Sequence, residues 1–209
     1  MNKRLPLLTA ALLLTGASSA FAASSTDLTV TGIITPTACT PDLSNSGTVD
    51  FGKRSAKDLN QTTRTFLGNE SLKLNVVCDG ETTFALELAD NRSTSTISPY
   101  LYGLGRTSAN EKLGGYEILY ESAITDAGSK SVIASLDDGK TWRKSDFIPI
   151  DPGSLAGVGD YSAGSWYPSR IKSLSMDMFV GAYIAPADSL TLTDEVTIDG
   201  SATLQIKYL

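Results

Sequence analysis

Apolar residues that recur at every second position constrain this chain more than any other feature. Residues 201–209 alternate strictly, and residues 27–34 repeat the pattern near the opposite end of the chain. A period of two places one face of a β-strand against a core and the other face in water. Further segments between these ends alternate in the same way, through Leu72, Leu74, Val76 and Cys78; Phe84, Leu86 and Leu88; Tyr116, Ile118 and Tyr120; Met176, Met178, Val180, Ala182 and Ile184; and Leu190 and Leu192.

Turn-forming dipeptides separate these segments, and no helical period is evident after residue 22. Asp79-Gly80, Asp90-Asn91, Asp138-Gly139 and Asp199-Gly200 all suit tight turns. The sequence therefore predicts an all-β sandwich in which one face of each sheet is buried. Residues 91–151 are less regular, and we expect long loops or an extra hairpin there.

The first 22 residues have the organisation of a secretion signal. Lys3 and Arg4 precede an apolar stretch at 5–14, and Ala20-Phe21-Ala22 forms a small-x-small cleavage site. We expect the mature chain to start at Ala23. The apolar stretch is about half of the ~20 residues that a membrane helix needs, so no membrane span is expected. A buried N-terminal helix is the alternative.

The acidic charge of the mature chain argues against two classes of partner. Removal of Lys3 and Arg4 changes the formal net charge from −6 to −8. Nucleic acids and anionic lipids call for clustered Lys and Arg, and no such cluster occurs. The length suits one domain, because no repeat and no Pro- or Ser-rich linker divides it.

Cysteine and histidine usage limits the chemistry that is open to the chain. Cys39 and Cys78 are the only cysteines, and an even number in an exported chain predicts a disulfide. Zinc is the alternative, but it needs several ligands and the chain has no histidine. The absence of histidine also excludes the usual Ser-His-Asp and Cys-His chemistry. We therefore expect no cofactor, no metal and no enzymatic activity, with a two-carboxylate glycosidase as the enzyme class left open.

One local motif stands apart from the strands. Residues 135–142 fit S-x-D-x-G-x-T-W, the Asp-box hairpin that is repeated in sialidases and other propellers. It occurs once here, whereas a propeller needs several four-stranded blades. We expect a structural hairpin whose Asp side chain accepts backbone hydrogen bonds, with carbohydrate contact through the Trp as the alternative. The motif residues are Ser135, Asp137, Gly139, Thr141 and Trp142.

Several segments, in their order and spacing, resemble a pilin of the chaperone–usher pathway. Asp90-Asn91-Arg92, which follows the strand of Phe84, also resembles a less-studied branch of those pilins, described mostly as a domain of unknown function. Residues 93–173 match little in that family. The segments that carry the resemblance are Thr31-Gly32-Ile33-Ile34 with Ala38-Cys39, a strand at Val49-Asp50-Phe51-Gly52, the strand Leu74-Asn75-Val76-Val77-Cys78-Asp79, and residues 200–208.

The resemblance implies an incomplete immunoglobulin-like β-sandwich that is completed by a donor strand from a neighbouring subunit. Residues 1–22 would be the signal peptide, 23–36 the donor-strand extension and 37–209 the single sandwich domain. Leu28, Val30, Gly32 and Ile34 would enter the groove of a neighbour. Ala202, Leu204, Ile206 and Tyr208 would border the groove and meet a periplasmic chaperone.

The same resemblance implies a structural subunit of a fimbria that polymerises by donor-strand exchange and supports adhesion of the bacterial cell. Such a subunit is exported through the periplasm to the cell surface. Its partners would be the chaperone, an outer-membrane usher, other copies of itself or related pilins, and a host or surface receptor. The alternatives are a lectin-like tip or minor adhesin and a free secreted β-sandwich, in which residues 27–34 form an ordinary first strand.

Overall fold

Antiparallel strands form nearly all the regular structure of this chain. The computed structural model describes residues 38–209, together with Thr29, Thr31 and Gly32. Short 3-10 segments lie at Ala56–Asp58, Ser93–Ser95 and Ala187–Ser189, and Ser44–Gly47 forms a left-handed turn. The strands are β1 Cys39–Leu43, β2 Thr65–Thr82, β3 Phe84–Asp90, β4 Tyr102–Gly103, β5 Gly114–Thr125, β6 Gly128–Ser129, β7 Ser131–Ser135, β8 Arg143–Lys144, β9 Leu155–Ser162, β10 Ser165–Pro168, β11 Ile171–Ile184 and β12 Ala202–Tyr208.

The strands form two antiparallel sheets, which confirms the predicted all-β sandwich. Sheet 1 has the order β1-β2-β11-β5-β4, with β6 paired to β5. Sheet 2 has the order β12-β3-β9-β7-β8, with β10 paired to β9. Residues 38–209 belong to one compact unit. No helix in this part of the chain is long and apolar enough to cross a membrane.

The core lies between the sheets and is built from the alternating apolar positions. Leu74, Val76 and Met176 are fully buried, and Leu86 is 1% exposed. Each such aliphatic side chain contributes about 1.5–3 kcal/mol by leaving water. The predicted strands at 72–78, 84–88, 116–120 and 176–184 are all present, in β2, β3, β5 and β11 respectively.

Two of the predicted strands are wrong, because side chains take up backbone groups that a strand would pair. At Val49–Gly52 the chain is unpaired: Asp50 Oδ1 accepts the Gly52 N–H (2.8 Å), and the turn that results ends the extension. Leu190 and Leu192 also lie outside any strand. Between them Thr191 donates its N–H to Glu111 Oε2 (2.6 Å).

Residues 91–151 contain more of the sandwich than the sequence predicted. Strand β5, which the sequence predicted only at 116–120, extends over Gly114–Thr125 between β11 and β4 in sheet 1, and β7 is an interior strand of sheet 2. The pattern did not predict β7 because its two faces are both covered, so that Val132 and Ile133 are equally buried and nothing alternates. Strand β9 was missed because Gly157 and Gly159 interrupt its apolar face.

The two ends of the sandwich are distinct. The disulfide pole contains Cys39, Thr82 and Tyr208, where the predicted Cys39–Cys78 disulfide joins β1 to β2. At the opposite pole Ala202 pairs with Asp90 and Ile184 pairs with Thr65. Strand β1 therefore begins, and β12 ends, at the disulfide pole.

Candidate functional site

Strand β12 lies at the edge of sheet 2, and within residues 38–209 it pairs only with β3. Leu209 donates its N–H to Thr83 O (3.1 Å), and Ser201 O accepts the Asn91 N–H (2.9 Å). Because hydrogen-bonded positions alternate along an antiparallel ladder, the odd-numbered residues of β12 bond to β3. The backbone N–H and C=O groups of the even-numbered residues therefore point towards the open edge; these are the predicted Ala202, Leu204, Ile206 and Tyr208.

The core-facing row of β12 is only half-buried. Ala202, Leu204 and Ile206 pack against the core but remain partly exposed, whereas Leu86 beside Ile206 is 1% exposed. An additional strand beside β12 would pair the open backbone groups and cover these side chains in one step. An edge of this kind is a template for β-strand addition.

A cleft of about 650 Å³ opens at the opposite pole, just before β12 begins. Its walls come from residues 49–59 and 192–198, and its floor includes Leu67, Leu113 and Ile184. The walls are linked by the exposed ion pair between Lys53 Nζ and Glu195 Oε1 (3.1 Å). Such a pair contributes about 0–1 kcal/mol, so it opposes separation of the walls only weakly.

The two sheet edges converge at the disulfide pole. The Cys39 N–H donates to the Tyr208 hydroxyl oxygen (2.8 Å), which joins β1 to the end of β12. The uncovered surface is therefore closed at this pole, and the cleft lies at the other.

The Asp90-Asn91-Arg92 corner holds the start of β12. Asn91 Nδ2 donates to Ser201 Oγ and to Thr203 Oγ1, both at 3.0 Å. Arg92 binds Asp199 in a bidentate geometry, with Nε to Oδ2 at 3.0 Å and Nη2 to Oδ1 at 3.1 Å. The corner itself is fixed by Asp90, whose Oδ1 accepts the Arg92 N–H at 2.8 Å.

The Asp-box residues occupy the loop that joins β7 to β8. The Thr141 hydroxyl and N–H donate to the Asp137 carboxylate at 2.6 and 2.9 Å, and the Ser135 hydroxyl donates to it at 2.8 Å. These bonds lower the pKa of Asp137 to about 2. Trp142 Nε1 donates to Gly139 O (3.1 Å), and the indole ring lies against Gly157. The loop is thus a rigid hairpin end.

This loop also contacts the last residues of β12. Lys207 Nζ pairs with Asp138 Oδ1, and this hydrogen bond raises the pKa of Lys207. Leu209 Cδ2 lies 3.6 Å from the position that a β-carbon would take at Gly139. Both ends of the edge strand are therefore braced, at Asn91 and Arg92 and at the Asp-box loop. The sequence did not predict these contacts. Asp199-Gly200 and Asp138-Gly139 indicate turns, but their pattern does not show which distant residues the two aspartates bind.

The predicted donor residues are mostly beyond what the structure describes. Leu28, Val30 and Ile34 lie outside the described residues, and Gly32 is exposed, with no atom of the described residues within 4 Å of the position of a β-carbon. The role of this segment stays a prediction.

Comparison with known proteins gives relatives that cover most of the chain. Residues 28–100, which contain β1 to β3 and the Asp90-Asn91-Arg92 corner, match the profile of a family described as a protein of unknown function (DUF1120). The chain is similar to the uncharacterized protein YhcF of Escherichia coli (strain K12), with 25% identity over 228 residues, 92% of this chain and 94% of that protein. It is also similar to protein GltF of the same strain, with 27% identity over 235 residues and 92% of each chain.

Proposed function

We propose that this protein is a structural, non-catalytic subunit of a chaperone–usher fimbria, exported to the cell surface and polymerised by donor-strand exchange. The observation that supports the proposal most is the open edge of β12, whose outward backbone groups have no strand partner within residues 38–209 and lie beside a half-buried apolar row. Residues 27–34 supply a segment of matching alternation. If Leu28, Val30 and Ile34 each bury their side chains in a neighbour, the joint gains about 5–9 kcal/mol before backbone bonds form.

The polarity of the molecule suits head-to-tail growth. Residue 38, to which the donor segment leads, is at the disulfide pole, where Ala38 O accepts the Asp79 N–H (2.9 Å). The cleft is at the opposite pole. A contact between unlike poles is heterologous. It produces an open filament when the rotation that relates successive subunits does not close them into a ring.

The exposed edge also gives a reason for a chaperone. Before a neighbour arrives, the N–H and C=O groups on the outer edge of β12 have no strand partner in the described part of the chain, and such an edge is an aggregation hazard. A periplasmic chaperone that lends a strand to β12 would cover them, and exchange at an outer-membrane usher would then replace that strand by the donor segment.

The test uses the full chain with Val30→Asp, which places a carboxylate on the inserted face of the donor segment. This variant should accept a synthetic peptide of residues 27–35, with a rise in melting temperature, because a ligand specific for the native state stabilises it by mass action. It should not polymerise, since an unpaired carboxylate would have to enter an apolar groove.

Thr31→Asp is the matched control. It adds the same charge on the alternate face of the segment and should leave polymerisation intact. If the wild-type protein stays monomeric and added peptide does not change its melting temperature, the protein is a self-contained secreted sandwich and the fimbrial proposal is wrong.

A further inference from the structure

The β9–β10 hairpin extends past the disulfide pole of the sandwich. Beyond Gly159, which pairs with Ser131 of β7, strand β9 pairs only with β10 in the described part of the chain. Every residue from Asp160 to Ser165 is exposed. Because Phe84 and Tyr208 end sheet 2 near Val158, the hairpin tip lies outside the body of the sandwich.

The hairpin tip exposes aromatic side chains on a backbone that strand pairing and a tight turn hold in place. Tyr161 is 62% exposed and Tyr167 is 53% exposed. Tyr161 lies directly across from Trp166, with ring centroids 5.4 Å apart and an angle of 56° between the rings. The two-residue turn has positive φ at both positions, +50° at Ala163 and +87° at Gly164. This is the turn geometry that matches the twist of a hairpin, so the aromatic residues are preorganised.

The tip is also uncharged. Residues 161–167 read Tyr-Ser-Ala-Gly-Ser-Trp-Tyr, and the flanking Asp160 is already bonded to Lys130 Nζ (2.6 Å) and Ser169 Oγ (2.7 Å). Burial of such a tip removes no unpaired charge from water. Rigid aromatics among small polar residues are the composition of protein-binding loops, and Tyr and Trp carry much of the energy at interface centres.

The direction in which a donor strand runs beside β12 determines which part of the neighbouring copy lies against this hairpin. Every strand pair between residues 38 and 209 is antiparallel, and a donor strand that continues sheet 2 in this way runs opposite to β12. The end of the donor segment then lies beside Ala202 of the acceptor. The disulfide pole of the donor copy, with its hairpin, therefore abuts the opposite pole of the acceptor copy. That pole offers the cations Arg64 and Lys112, which suit aromatic faces.

We infer that the β9–β10 hairpin is a second contact between successive copies of this chain, with Tyr161, Trp166 and Tyr167 packed against the opposite pole of the neighbour. The inference rests on the proposed donor-strand function and adds to it a contact that the donor segment does not make. The contact fixes the angle between copies, because two separate contacts restrict the relative rotation of two bodies more than one contact does.

The test compares two states of the full chain carrying Trp142→Phe, in which Trp166 is the one remaining tryptophan. In a monomer saturated with the 27–35 peptide, acrylamide should quench Trp166 freely, because the groove is filled and no neighbouring pole is present. In the polymer Trp166 should be protected and its emission shifted to the blue. If Trp142→Phe impairs folding, the difference between wild-type and Trp166→Phe emission gives the same signal.

A second measurement challenges preformed polymers with excess peptide. The double variant Tyr161→Ala with Trp166→Ala should depolymerise about tenfold faster than wild type, the scale of truncating an aromatic interface anchor. Tyr161→Phe with Trp166→Phe should retain the wild-type rate, and Val77→Ala, which changes an exposed residue of sheet 1, should have no effect.

The outcomes separate the two proposals. If the peptide neither binds nor dissociates polymers, the donor-strand function is wrong. If the peptide binds and polymers form, but Trp166 stays open to acrylamide and the alanine variant depolymerises at the wild-type rate, the hairpin contact is wrong. Protection of Trp166 by added hexose in such a polymer would instead identify a free carbohydrate platform.

Discussion

At the scale of single residues, polar and charged side chains fix the geometry of the edge strand β12. Asn91 and Arg92 bind the segment that leads into β12, and Asp138 binds Lys207 near its end. These contacts lie at the two ends of the strand and leave its open edge free. An edge that is held straight and in register is a better template for an incoming strand than a frayed one, because less ordering remains for the binding step.

Replacement of Arg92 by Ala should loosen the start of β12 without unfolding the core. The Arg92–Asp199 pair is bidentate but partly exposed, with side-chain exposures of 41% and 55%. We expect a loss of about 0.5–1 kcal/mol in the free energy of unfolding. Urea titration measures this loss, and hydrogen exchange should show faster exchange of the Thr203 amide. Arg143→Ala, at an exposed arginine of β8, is the control, and equal effects of the two changes would contradict the bracing role.

Asp137 should make the stability of the protein depend on acid. Its pKa is lowered to about 2 by the Thr141 and Ser135 bonds, from an ordinary value of 3.8. Between these values the unfolded chain binds more protons than the folded one, so stability falls as the pH decreases from about 4 to about 2. Asp137→Asn cannot take up this proton and should show a flatter dependence of the urea midpoint over that range. Parallel curves for the two proteins would show that the loop bonds are absent in solution.

At the scale of elements, β12 combines two roles. Its odd-numbered residues complete the ladder with β3, and its even-numbered residues carry both the partly exposed apolar row and the open backbone groups. One seven-residue strand thereby joins the core of its own subunit to the surface proposed to receive a neighbour. Substitutions in its last residues should therefore weaken partner binding more than they destabilise the core.

Tyr208→Ala should reduce periplasmic accumulation and chaperone co-purification. The change removes a 39% exposed side chain at the closed end of the edge and the bond from the Cys39 N–H. Immunoblots of periplasmic extracts and chaperone pull-down provide the measurement. Tyr208→Phe keeps the ring and loses only the hydrogen bond, so it should be nearly normal. Normal accumulation of the Ala variant in a strain without the chaperone would favour a self-contained sandwich.

At the scale of the whole molecule, the disulfide connects the first strand to the longest one. Cys39 and Cys78 are 39 residues apart and tie the edge strand β1 to β2. Strand β2 spans the full length of sheet 1 beside β11, so the bridge anchors the segment that leads back to residue 38 on the most extensively paired part of the sandwich. A pull on the donor segment would thus be transmitted to the central strands.

The exported protein should begin at Ala23 and contain this bridge. Intact-mass analysis before reduction should find no thiol that reacts with an alkylating agent, and analysis after reduction should find both cysteines alkylated. Cys39→Ser with Cys78→Ser should lower the free energy of unfolding by about 4 kcal/mol in the chain-entropy description. An uncleaved chain, or free thiols after oxidative export, would overturn the assignment to the periplasmic route.

The sequence by itself determined the all-β class, the disulfide and those strands that have one buried and one solvent-exposed face. Alternation at Leu74 and Val76 or at Leu86 and Leu88 records a local physical fact, since each second residue meets the core. It could not identify β7, whose two faces are both buried, or β9, which glycines interrupt. The alternation at Val49–Gly52 also failed to predict that this segment stays unpaired, because a period of two does not record the bond between the Asp50 side chain and the Gly52 N–H. The tertiary structure alone determined the edge position of β12, the poles and the partners of Asp90-Asn91-Arg92. These depend on contacts between residues far apart in the chain, such as Arg92 with Asp199, and no local period encodes such contacts.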